Sequence, residues 1–366
     1  MTTRRAFLAS LAAIGAAAAP PLSWAAAGSP THLAAARDID GRFALYGIEA
    51  GGAVTFRVDL PARGHAGAAH PDRAEAIVFA RRPGRFALVL DCARGRVLQR
   101  LAPPPGRHFN GHGTFAADGA LLFTSEQVSE TSEGRVGVWD VAAGYRRAGE
   151  FSTHGIGPHE LCLMPDGATL VVANGGIATD PADRRKLNID SMRPNLAYLG
   201  LTGRLEERVE LDDALHRNSI RHLAVRGDGL VAFAMQWQGA PEEAPPLLGL
   251  HRRGAPPLLA EPPLPELLAM RGYAGSVAFA AGGEEVAITS PRGGRLQRFA
   301  PDGTFLGALA RADICGLAAG ASGLLATDGL GGVIAIAGGK ARPLARHGAA
   351  WDNHLVPLPA CRPPRA

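Results

Sequence analysis

One unit recurs along this chain: a short apolar stretch that starts at a histidine, or at Ser or Cys, and ends in a turn. Aligned on that turn, HAGAAHPD (65–72), HGTFAADG (112–119), HELCLMPDG (159–167), HLAVRGDG (222–229), SVAFAAGG (276–283) and CGLAAGASG (315–323) superimpose with at most one residue of slip. A seventh stretch, HLVPLP (354–359), comes last. Successive starts are 47, 47, 63, 54, 39 and 39 residues apart, the period of repeats that fold as blades of four strands.

Each unit continues in the same order. A second apolar run follows the turn: EAIVFA (75–80), ALLFTS (120–125), ATLVVAN (168–174), LVAFAMQW (230–237), EVAITS (285–290) and LLATD (324–328). A hairpin of two further strands comes next, as in VGVWD-VAAG-YRRAGEF (136–151) and RLQRFA-PDG-TFLGALA (295–310). The N-terminal region supplies HLAAAR (32–37), RFALYGIE (42–49) and AVTFRVDL (53–60), three strands that lack a first. HLVPLP would be that first strand. The expected fold is therefore all-β, a seven-bladed propeller whose N- and C-terminal strands share one blade, an arrangement that leaves no free sheet edge. The 47 glycines, the 28 prolines and the near absence of helical periodicity fit many short strands joined by turns.

In such a fold the first strand of every blade lines the central channel, so the seven starting residues form a ring at one height: His65, His112, His159 with Glu160 beside it, His222, Ser276, Cys315 and His354. Five of the chain's twelve histidines occupy this one repeat position. Neutral imidazoles at one height suit copper, zinc or iron; calcium or magnesium would need more oxygen ligands than Glu160 and Ser276 offer. The metal candidates are His65, His112, His159, His222, His354 and Cys315. The competing explanation is a structural latch, in which each imidazole bonds a neighbouring blade's backbone.

The loops after each second strand surround this ring, and they are the longest in the chain. Within them Asn174, Gly175 and Gly176 allow close approach of backbone amides to a ligand. Arg184, Arg185, Lys186 and Arg292 can hold carboxylate or phosphate groups. Gln236 and Trp237 offer an amide and a stacking surface, and Glu160 a carboxylate. No nucleophile elbow, phosphate-binding loop, dinucleotide fingerprint or HExxH helix is present. Trp139-Asp140 resembles the Trp-Asp ending of WD40 strands.

Residues 1–27, MTTRRAFLASLAAIGAAAAPPLSWAAA, have the three zones of a secretory leader, and Thr3-Arg4-Arg5-Ala6-Phe7-Leu8 is similar to the twin-arginine motif that exports folded cargo. The expected division is a leader over 1–27 and one propeller domain over 28–366, located in the periplasm and not held in the membrane after cleavage. Loss of Arg4 and Arg5 lowers the formal charge from +4 to +2, and no basic run interleaves with aromatics, which argues against nucleic acid as a partner. The four cysteines, Cys92, Cys162, Cys315 and Cys361, are widely spaced, and their pairing is not legible.

GPHELCLMPDG, VVANGGIATDP, KLNIDSMRPNLAYL, SIRHLAV, AMQWQG, SPRGG and WDNHL resemble, over essentially the whole mature chain, the exported bacterial family called domain of unknown function 1513. Its members are often encoded beside imelysin-type and di-haem peroxidase-like proteins. The resemblance therefore implies a periplasmic role linked to iron and an imelysin-like uptake protein as partner. It implies no catalytic residues. Two function classes follow: a module that binds a metal, a metal chelate or a partner protein on the ring face, or an enzyme. The enzyme would be a copper- or iron-dependent redox protein or, less well supported by this carboxylate-poor ring, a lactonase-like hydrolase.

Overall fold

The computed structural model describes residues 21–81, 84, 86–183 and 185–358. Arg4, Arg5, Arg184 and Cys361 lie outside these residues. Among the described residues, seven antiparallel sheets of four strands each make up the architecture, with consecutive strands adjacent in six of them. The seventh sheet joins the two ends of the chain. Strand β28 (Ala349–Pro357) pairs with β1 (His32–Asp38), followed by Phe43–Ile48 and Val54–Leu60. The seven-bladed propeller with a shared blade is as the repeats predicted.

The packing explains why the second strands read as continuous apolar runs. Each of the seven hydrophobic clusters lies between two adjacent blades, so a blade is covered on both faces. Thr169–Asn174 is buried at all six positions and Ala87–Asp91 at all five. Burial is lost at the rim, where Arg96–Leu101 is exposed at every position but the last. The turns after the first strands repeat one geometry. Gly119, Gly167, Gly229 and Gly283 have φ of 72°, 67°, 85° and 75°, and each amide bonds the carbonyl three residues back. Only glycine takes that left-handed backbone without cost.

Residues Trp24–Ala27, which the sequence assigned to the leader, form a turn of 3-10 helix against the first two blades. Trp24 is buried, and its Nε1 donates to the carbonyl of His70 at 2.9 Å. No helix among the described residues is long and apolar enough to cross a membrane. Cys92, Cys162 and Cys315 form no disulfide.

Candidate metal centre

The inner strands are not regular at the ring. In six of the seven, the pairing with the second strand of the blade or with β1 slips at the ring position. His65 and Ala66 lie between the pairs Gly64–Ala80 and Gly67–Val78, so two residues face one. His159 and Glu160 lie between Pro158–Asn174 and Leu161–Val172, and Arg221 is the extra residue between Ile220 and His222. On the strands carrying His112 and His354 three residues face one: Asn110, Gly111 and His112, and Asp352, Asn353 and His354. A bulge of this kind breaks the alternation of a strand and re-aims its side chains. Ser276 begins the one inner strand without a slip.

The bulges bring five imidazoles together on the axis. Ring centroids are 4.6 Å apart for His65 and His354, 4.6 Å for His112 and His159, 4.7 Å for His112 and His354, 4.8 Å for His159 and His222, and 4.9 Å for His222 and His354. All five residues are buried. Potential ligand atoms of His65, His112 and His159 lie within 4.8 Å of one another, as do those of His112, His222 and His354. A tetrahedral zinc ion requires nitrogens roughly 3.3 Å apart, within reach of small side-chain rotations from this arrangement. His112 belongs to both groups, so the cluster suits one ion drawn from five donors.

Two carboxylates stand behind the imidazoles. Glu160 places Oε2 at 3.3 Å from His222 Nδ1 and Oε1 at 3.7 Å from His112 Nδ1. It also accepts the Leu223 amide at 3.1 Å. Asp352 Oδ1 lies 3.7 Å from His65 Nδ1, and its Oδ2 accepts from Arg63 Nε at 2.5 Å. Carboxylates against the outer nitrogen leave the inner one to ligate, the usual support for a metal-bound histidine. Burial lowers His222 and His354 well below the ordinary imidazole range, so both are neutral and ligand-competent at neutral pH. Burial pushes Glu160 up to about 7. Burial opposes the charge on Asp352, but His65 and Arg63 hold its carboxyl well below the usual carboxylate range.

Two histidines outside the ring bond backbone across blades. His32 Nε2 bonds the carbonyl of Ala319 at 2.8 Å and His347 Nε2 that of Gly52 at 2.8 Å, each tying the shared blade to its neighbour. Nε2 of His354 is buried without a hydrogen-bond partner among the described residues, as are both polar atoms of the Asn110 side chain.

Cys315 does not join the cluster. Its bulge directs Sγ towards the carbonyls of Asp352 and Thr327, at 3.4 and 3.5 Å, and into the apolar cluster between the last blade and the shared one. Below the ring a channel of about 1530 Å3 runs to the turn face, lined by Ser276, Ala68, Phe115 and Val277 and reached at its far end by Trp24.

On the loop face, Lys186, Gln236, Trp237 and Arg292 meet in a second cavity of about 380 Å3, with Arg221 and Tyr273. Arg185 stays outside it, exposed and 3.9 Å from Asp180. The Asn174-Gly175-Gly176 amides are used within the fold. Gly175 and Gly176 donate to the carbonyls of Gly157 and Ile156, at 3.0 and 2.9 Å. The side chain of Asn174 donates to the Thr153 carbonyl and to Asn195, each at 2.9 Å. Burial lowers Arg221 to about 10. Burial, then the charges of Arg221 and Arg292, lowers Lys186 below the ordinary lysine range. Arg221, Asp352 and Tyr273 were not among the predicted site residues. The first two stand one and two places before ring histidines, the only signal they carried.

The solved structure of Kuenenia stuttgartiensis hydrazine synthase is similar, with a TM-score of 0.57 and 15% sequence identity over 83% of this chain and 89% of that one. At that identity the likeness is one of fold alone. No curated protein matches the sequence. The family described as "Protein of unknown function (DUF1513)" matches residues 58–358, from the third strand of the shared blade through the last ring histidine, and the chain belongs to that family.

Proposed function

We propose that this protein is an exported propeller that binds one transition-metal ion, copper, zinc or iron, on its axis through His65, His112, His159, His222 and His354, as a binding module without turnover. The observation that carries this reading is convergence: ligand atoms of two overlapping histidine groups lie within 4.8 Å, with Glu160 and Asp352 against their outer nitrogens. An all-imidazole set favours these borderline metals over calcium or magnesium. The family's setting beside imelysin-type proteins supports iron as cargo and such a protein as partner. The Arg4-Arg5 pair supports export through the twin-arginine route, and its change to Lys-Lys would leave precursor in the cytoplasm.

The test is metal analysis of purified protein, as isolated and after reconstitution with each of the three ions. Wild type is expected to retain one ion. His112→Ala with His222→Ala should lose it while keeping the circular-dichroism spectrum of the wild type. Protein that stays metal-free with all three ions would overturn the proposal.

A further inference from the structure

We propose that the loop-face cavity is an anion site for a small molecule carrying carboxylate or phosphate groups. Lys186, Arg221 and Arg292 all line this cavity, and no carboxylate among the described residues does. Three cations gathered without a counter-charge repel one another, so the arrangement costs stability unless a ligand supplies the missing charge.

Arg221 is the strongest indication. It is nine-tenths buried, and its guanidinium makes no hydrogen bond or ion pair with any described residue; Nε is buried without a partner. A buried cation is expected to be paired. The fold makes room for it: the guanidinium carbon would lie 3.4 Å from a Cβ placed on Gly175, and the bulge before His222 creates the position itself.

The other groups are held ready. Arg292 stacks on Tyr273, with its guanidinium carbon 4.3 Å from the ring centroid, and the Tyr273 hydroxyl accepts from Asn353 Nδ2 at 3.2 Å. Lys186 reaches across from the 174–195 loop to donate to Gln238 Oε1 at 2.6 Å. Two planar guanidinium forks and one ammonium match the geometry of carboxylate and phosphate oxygens. Trp237 and Gln236 complete the wall, and about 380 Å3 accommodates a small molecule, not a polymer. The proposal does not rest on the ring holding a metal.

The experiment is calorimetric titration with citrate and, separately, with inorganic phosphate, on protein as isolated and on metal-depleted protein. At least one probe is expected to bind in both preparations and to bind more weakly as sodium chloride is raised. Saturation by citrate alone marks a polycarboxylate site, and saturation by phosphate a phosphate site. Arg221→Gln and Arg292→Gln should each weaken binding at least tenfold. Without anion, Arg221→Gln should melt no lower than wild type, because it removes an unpaired buried charge. The proposal is overturned if neither probe binds at millimolar concentration, or if binding survives undiminished in the Lys186→Gln, Arg221→Gln, Arg292→Gln triple variant.

Discussion

His222 Nδ1 lies 3.3 Å from Glu160 Oε2, across the boundary between two adjacent blades. The same carboxylate reaches His112 on the blade before its own, at 3.7 Å. One side chain thus orients two of the five axial imidazoles, and it can do so only because a bulge frees Glu160 from the alternation that would turn it away from His159.

Glu160→Gln should therefore weaken metal binding about 10–100-fold without unfolding the protein. The amide oxygen still accepts from Leu223, whereas the charge behind His112 and His222 is gone. Competition against a chromophoric chelator measures the change, and an unaltered affinity would remove Glu160 from the site.

A buried ion pair sits in the blade that carries His112. Glu126 is 0% exposed and is gripped by Arg147 through contacts of 2.8 and 2.9 Å, with Thr124 donating at 2.6 Å. Burial, with the charge of Glu150 adding to it, pushes the Glu126 carboxyl up against the pull of Arg147 and Thr124. Arg147→Met leaves that charge uncompensated and should cost about 3–5 kcal/mol of stability. Adding Glu126→Gln to Arg147→Met should recover much of the loss. Urea unfolding of the two variants checks both outcomes, and a double variant no more stable than Arg147→Met would contradict this account.

His70 should make the fold acid-sensitive. Burial, then the charge of Arg73, lowers its pKa from 6.5 to about 4, and its Nδ1 accepts the Asp72 and Arg73 amides at 3.1 Å each. Between those values the unfolded chain binds a proton that the native chain does not, so this contribution to stability is present above 6.5 and is lost as the pH falls towards 4. His70→Asn keeps an acceptor without the titration. Its unfolding midpoint should vary less than that of wild type between pH 7 and pH 4, and equal slopes would exclude His70 as the cause.

Closure of the ring depends on β28. Deleting residues 350–366 removes Trp351 and Leu355 from the core between the shared blade and the last one, together with Asp352 and His354. Stability should fall by several kcal/mol. A melting curve equal to that of the full chain would mean that the shared blade contributes nothing.

The architecture was legible because repetition is a one-dimensional property. Seven aligned starts, the three strands without a first, and the continuous apolar runs all follow from burying both faces of every blade, which needs no knowledge of partners. The ring membership of His65, His112, His159, His222 and His354 followed from the same register. What these residues do with their side chains did not. A bulge is a mismatch between two strands, so it exists only once they are paired, and it decided that Glu160 and Asp352 stand behind imidazoles while Cys315 turns into the core. The same holds for Arg221. In sequence it is one more arginine beside a ring histidine; folded, it becomes a buried cation opposite Lys186 and Arg292, because loops distant in the chain close over it. Sequence by itself determined that five histidines reach the axis. Only the tertiary structure decided which of their neighbours carry charge there, because burial and pairing belong to the assembled blades.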